Sequence, residues 1–182
     1  ITATGGEPLA QPAFVGALFE AAHTDPKGRI HTCLDSSGIS YDPRHPELFE
    51  RLLSNTDLVL LDIKHSDPKG HHALCEVGPE RPFAFGNELA RRKIPVLIRH
   101  VVVPGYTDSP AELAGVGRII ARWSNVIGLD VLPYHTMGIK KYEELGIPYR
   151  LSGVPAMDPK RIPEIRKQIL IARALERKRL GL

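Results

Sequence analysis

The 182-residue chain predicts an α/β protein: five parallel strands with helices outside them. Three observations carry that prediction. Short apolar runs alternate with amphipathic stretches along the whole length, turn residues separate the two, and the apolar runs are too continuous to leave one face wet. Parallel strands need helical crossovers, and strands this apolar are expected to be covered on both faces. Those requirements leave a barrel or a doubly wound sheet.

Each element can be justified in order. Ile1 to Thr4 is a short strand, and the stretch from Pro12 to His23 places Phe14, Ala17, Leu18 and Ala21 at helical spacing. Ile30 to Asp35 forms the second strand, followed by a helix from Pro46 to Asn55. Leu58 to Lys64 is nearly all apolar and makes the third; a polar loop through Pro79 and a helix from Pro82 to Arg92 follow it. Pro95 to Val103 is the longest strand, with Ala111 to Trp123 as its helix. Val126 to Leu132 closes the set, and a long loop leads to a terminal helix from Pro159 to Arg179.

Composition narrows the function. A 42% hydrophobic chain of this length is expected to form one globular domain over residues 1–182. It has no apolar run of about 18 residues, and its two cysteines, Cys33 and Cys75, sit in unrelated contexts that give no disulfide framework. A cytoplasmic protein is the expectation, with no membrane partner. The formal charge of +3 gathers in the last stretch, where a basic helix end reads as a solvated face, not a nucleic-acid surface. Cys33 alternates with apolar neighbours and reads as a small buried side chain, and His71 and His72 read as loop residues without a third metal ligand.

In folds of this class, functional groups collect at the C-terminal ends of the strands. The polar residues of this chain fall there. Glu7 follows the first strand, Asp35 ends the second, Asp62 and Lys64 end the third, Arg99 lies in the fourth, and His135 follows the fifth. Leu60, Asp62 and Lys64 share one face by alternation. Charges held there must pair with one another or meet a charged ligand, and an amino acid would satisfy them together. Gly5 and Gly6 would let such a ligand approach bare amide groups, with Glu7 as an acceptor for its cationic end. Each position also has a structural reading. Gly-Gly-Glu-Pro can be a turn, Asp62 and Lys64 an ion pair, Asp35 with Ser36, Ser37 and Gly38 a turn, and His135 a core histidine.

Five segments in order carry a resemblance: Ile1-Thr2-Ala3-Thr4-Gly5-Gly6-Glu7-Pro8, His31-Thr32-Cys33-Leu34-Asp35, Leu60-Leu61-Asp62-Ile63-Lys64, Ile98 to Gly105, and Leu132-Pro133-Tyr134-His135. Through them the whole chain resembles the radical S-adenosylmethionine family that activates glycyl radical enzymes, most of all the branch acting on pyruvate formate-lyase. The resemblance implies a partial (β/α) barrel with its first strand unit missing. It implies that Gly5, Gly6 and Glu7 hold the methionine amino group of S-adenosylmethionine and that Asp35, Ile63 and Lys64 belong to the same cofactor site. Asp62, with Asp35, would lie near a monovalent cation, Arg99 near the sulfonium and His135 beside the adenosine. It further implies a 4Fe-4S cluster in the parent protein, a glycyl radical enzyme as partner, and a flavodoxin or ferredoxin as electron donor. At Glu76 and Pro79 the chain departs from the family's usual Gly and Asn, which leaves the identity of that partner open.

The cluster in that family is held by a Cys-x-x-x-Cys-x-x-Cys loop upstream of the Gly-Gly-Glu segment, and no such loop occurs in these residues. The chain is therefore expected to be a fragment, inactive alone, that self-associates through an open edge strand. Two other readings stand beside this one. Lys64 could form a Schiff base in a barrel lyase, or the chain could be a non-catalytic binding fragment.

Overall fold

A computed structural model describes residues Ile1–Leu182. Strands β1 (Thr2–Ala3), β2 (Cys33–Ser36), β3 (Leu58–Asp62), β4 (Val96–Val102) and β5 (Val126–Pro133) form one sheet in the order β1-β2-β3-β4-β5, every pair parallel. Sequence neighbours are sheet neighbours throughout. With right-handed crossovers, that order places all the connecting helices on one face. A doubly wound sheet needs the order to reverse partway, so the barrel alternative is the one that holds.

Burial alternates along the strands as this geometry requires. Val59, Leu61, Val96, Ile98, His100 and Val102 point into the helical layer and are buried, whereas Leu58, Leu60, Asp62, Leu97, Arg99 and Val101 are only partly covered. The expectation that both faces are covered is thus corrected. One face is packed and the other is the open inner wall of an incomplete barrel. The continuous apolar runs arise because the inner wall carries leucines and a valine that partly shield one another.

The helices are α1 (Pro12–His23), α2 (Glu50–Ser54) after a 3-10 turn over Pro46–Phe49, α3 (Pro68–Cys75), α4 (Glu80–Arg92), α5 (Pro110–Ala121), α6 (Ile139–Glu144) and α7 (Ile162–Leu180). Their ends follow local chemistry. The Asp67 side chain accepts the Gly70 amide at 2.8 Å to start α3, and the Ser109 hydroxyl accepts the Glu112 amide at 3.2 Å to start α5, with a proline at the first turn of each. Gly181, at φ 71°, closes α7 in the left-handed conformation that glycine supplies at least cost.

Three expectations change. The segment expected as a loop through Pro79 holds α3, which places His71 and His72 on a helix, with His71 buried. The long loop before the terminal helix holds α6. Helix α1 packs through Val15, Gly16, Phe19 and Ala22, while Phe14, the first of the apolar residues noted at helical spacing, is 67% exposed. Apolar residues surround α1 on every side, so periodicity alone could not choose its face.

The two sheet edges differ. On β5, Arg166 donates to the Leu129 carbonyl at 3.1 Å and Arg173 to the Val126 carbonyl at 3.2 Å, so side chains from α7 occupy edge acceptors. On the other side, β1 pairs with β2 over two residues and has no outer neighbour.

Candidate functional site

A line of charge crosses the open wall of the sheet. Register sets Asp62 opposite Arg99 and Asp35 opposite Leu60, so Asp35, Asp62 and Arg99 fall on adjacent strands and one face. The Arg99 guanidinium lies between the two carboxylates. Its Nε donates to Asp62 Oδ1 at 2.9 Å and its Nη1 to Asp35 Oδ2 at 3.1 Å, while Nη2 closes a second bond to Asp35 Oδ1. Lys64 Nζ donates to Asp62 Oδ2 at 2.7 Å, and Thr4 Oγ1 to Asp35 Oδ2 at 2.9 Å. Burial alone would lower the Arg99 pKa, but the bonds to Asp62 and Asp35 outweigh it and hold the group above the ordinary guanidinium value. The charges of Asp35 and Asp62 are therefore met inside the protein, where the resemblance implied a monovalent cation. Lys64 differs from Arg99. Its side chain is 36% exposed, and an ammonium with one bond made keeps two donors for a ligand.

The Gly5-Gly6 turn sits at the end of β1, beside that line. Gly5 and Gly6 adopt φ values of 81° and 58°, a left-handed pair that side-chain-bearing residues rarely take. Nothing lies within 4 Å of either Cβ position, and the amides of Gly5, Gly6 and Glu7 donate to no backbone carbonyl. Open space and free donors meet here. Glu7 is bonded within the protein. Its Oε1 accepts from Ser36 Oγ at 2.6 Å and the Leu9 amide at 3.2 Å, and its Oε2 from the Ser37 amide at 3.0 Å and Ser37 Oγ at 2.6 Å. All four lone-pair positions of the carboxylate are engaged. Glu7 thus ties the turn after β1 to the end of β2.

The remaining predicted residues separate into wall and mouth. The Ile63 side chain is buried in the helical layer, and its carbonyl accepts from His100 Nδ1 at 2.7 Å. His135 is exposed, not a core histidine. It lines a cavity of about 300 Å³ with Val101, Leu132, Pro133 and Tyr134, at the ends of β4 and β5. The Tyr134 hydroxyl meets that of Tyr149 at 2.7 Å. A second cavity, of about 230 Å³, opens beside Lys64 and Ser37.

Sequence reasoning missed several participants. Thr4, Ser36 and Ser37 bond the site carboxylates, and Asp130 stands opposite Arg99 on β5 as an exposed acid. Alternation along β5 could have found Asp130, because Leu129 and Val131 are buried on the other face. For the serines the signal was their position directly after Asp35 at a strand end.

The cysteines do not fit an iron–sulfur cluster. Cys33 is buried on β2 and Cys75 ends α3, and burial raises the pKa of both thiols, opposing the thiolate form that iron requires. Two such thiols cannot supply three ligands.

The geometry so far is that of an open parallel barrel wall with ligand groups at its strand ends. The profile of the Radical SAM superfamily matches residues 1–115, and the chain belongs to that superfamily. Among its relatives, the pyruvate formate-lyase-activating enzyme of Staphylococcus epidermidis is 38% identical over 166 residues, covering 90% of this chain and 65% of the relative. The enzymes of that name from Streptococcus mutans and Staphylococcus aureus are 41% and 42% identical, over 92% and 87% of this chain. The chain spans 63% and 62% of those two relatives. A solved domain of the pyruvate-formate lyase-activating enzyme of Bacteroides vulgatus superposes with a TM-score of 0.71, covering 97% of this chain and 93% of that one. At 19% identity that likeness speaks for the fold alone.

Proposed function

We propose that this chain is the S-adenosylmethionine-binding part of a radical S-adenosylmethionine enzyme that installs a glycyl radical on pyruvate formate-lyase or a related enzyme. The observation that carries the reading is the pairing of two complementary features at one strand-end face. Free amides and open space lie at Gly5 and Gly6, and a half-exposed ammonium with spare donors lies at Lys64. A methionine zwitterion presents a carboxylate and an ammonium: the free N–H donors of the glycine turn and the Lys64 ammonium suit the carboxylate, and the Gly5 and Gly6 carbonyls, which accept no backbone amide, would take the ammonium. The adenosine would enter the cavity beside His135.

The residues of this chain then bind and orient. Arg99 locks Asp35 and Asp62 so that neither carboxylate can draw the sulfonium out of place, and Glu7 fixes the glycine turn relative to β2. The relatives' name gives pyruvate formate-lyase as the target, and the family resemblance adds a glycyl radical on that target and an external electron donor of flavodoxin or ferredoxin type. The cluster that would use that electron is not assigned to these residues. The competing Schiff-base reading is disfavoured by the 2.7 Å ion pair of Lys64 with Asp62, because a Schiff-base lysine must be free to attack a carbonyl.

The experiment has two arms. The 182-residue chain, reconstituted with iron and sulfide, is expected to hold no stoichiometric iron, while a longer chain carrying an upstream three-cysteine loop is expected to release 5′-deoxyadenosine and generate a glycyl radical signal on pyruvate formate-lyase. Failure of the longer chain to cleave S-adenosylmethionine would overturn the proposal.

A further inference from the structure

A large cavity lies among the helices, beginning at the loop that follows Lys64 at the end of β3. It measures about 620 Å³ and runs between the loop after β3 and helix α5, with Ser66, Ser109, Phe83, Arg118 and Arg122 in its lining. Volumes of this size are typical of sites for small organic ligands.

Its arginines set it apart. Of the fifteen arginines in the chain, twelve bond a carboxylate or a backbone carbonyl. Arg81, Arg118 and Arg122 make no such bond, and two of these three face one cavity. Arg118 on α5 and Arg122 at its C-cap stand one turn apart, where like charges repel. The Arg118 guanidinium folds back over Gly115, with its Nη2 3.7 Å from where a Cβ would stand, and Ser66 Oγ 2.0 Å from the same point. A side chain at Gly115 would fill the floor between them.

The acids of the cavity are already engaged. Glu112 accepts the Ser66 amide at 2.6 Å and meets His65 Nδ1 at 3.0 Å, and Asp67 caps α3. The exposed Ser109 hydroxyl accepts the Glu112 amide and keeps its own proton to donate. Two guanidinium groups without a bonded carboxylate and one hydroxyl donor therefore line one solvent-facing cavity, with Glu176 of α7 near enough to feel both arginine charges but bonded to Arg179.

We infer that this cavity binds a small phosphate-bearing anion, held between Arg118 and Arg122 with Ser109 as an additional donor. Its lining includes neither the glycine turn, Lys64 nor His135, so the proposal stands whether or not S-adenosylmethionine binds at the strand ends.

The test is saturable binding of inorganic phosphate to the 182-residue chain, followed by calorimetry and by the thermal midpoint at constant ionic strength. Binding with a dissociation constant of roughly 1 mM or below is expected, with at least a ~10-fold loss in the Arg118→Gln/Arg122→Gln double variant and no loss in an Arg44→Gln/Arg91→Gln control. Glycerol 3-phosphate is the second arm. Tighter binding than phosphate assigns the site to a phosphomonoester, and equal binding to free phosphate. No saturable binding of either, or equal loss in the control variant, overturns the proposal. Far-ultraviolet dichroism of each variant separates lost binding from lost folding; if the double variant unfolds, the single Arg122→Gln change must show the loss.

Discussion

Arg99 is the residue through which β2, β3 and β4 share charge. Replacing it with alanine leaves Asp35 and Asp62 on neighbouring strands without the cation between them, with Lys64 as the one remaining counter-charge. Truncating one partner of a buried ion pair costs about 3–5 kcal/mol, and because these side chains are partly exposed, Arg99→Ala is expected to cost about 2 kcal/mol. Urea unfolding measures this, and Arg99→Lys should recover only part, since an ammonium cannot span both acids bidentately. His100 gives a pH dependence. It is buried, its Nδ1 donates to the Ile63 carbonyl, and its Nε2 has no partner, so burial holds its pKa below the ordinary histidine value. The unfolded chain therefore takes up the proton first. Stability from this group is present above about pH 6.5 and is lost as pH falls below it. Thermal midpoints between pH 7.5 and 5.5 should drop, and His100→Gln should flatten the slope. At this scale the sequence was informative about which residues gather and less so about their partners. Alternation and strand ends placed Asp35, Asp62, Lys64 and Arg99 together, but the bonds of Glu7 depend on how two loops dock, and no local pattern encodes that.

Helix contacts set the next scale. Helices α5 and α7 meet at Gly117, where an added Cβ would stand 2.6 Å from the Ile169 carbonyl and 2.9 Å from the Arg173 amide. Those atoms are backbone and cannot rotate away. Gly117→Ala is expected to destabilise by about 2 kcal/mol through overpacking, against the small gain alanine brings in an exposed helix. Chemical denaturation tests it, and an unchanged midpoint would show that the helices can separate without loss. The long strands and the helices flanked by Ser or Asp with proline were legible, because caps and apolar runs are local signals. Helices α3 and α6 were not. Each is short, lacks an apolar stripe, and follows a strand end where loops are the usual expectation, although Asp67-Pro68 offered a start signal for α3.

For the whole molecule, strand order decides both the barrel type and the position of the open face. Consecutive order with same-handed crossovers forces every helix to one side, leaving the inner wall for a ligand. The parallel class was legible from the alternation of elements, but the open wall was not, because apolar residues occupy both faces of the strands. The unpaired side of β1 is a proposed site of self-association, and the two-residue length of that strand should keep it weak. Sedimentation at rising concentration should show reversible association that Thr2→Pro abolishes, whereas an invariant monomer would remove the idea. The central claim is that the glycine turn and Lys64 together receive the methionine end of S-adenosylmethionine. Nitrogen-15 amide spectra of the 182-residue chain test it directly during titration with S-adenosylmethionine. Saturable shifts are expected at Gly5, Gly6 and Lys64, with binding weakened at least ~10-fold by Lys64→Ala. Unmoved glycine amides at saturating ligand, or binding unaffected by Lys64→Ala, would contradict it.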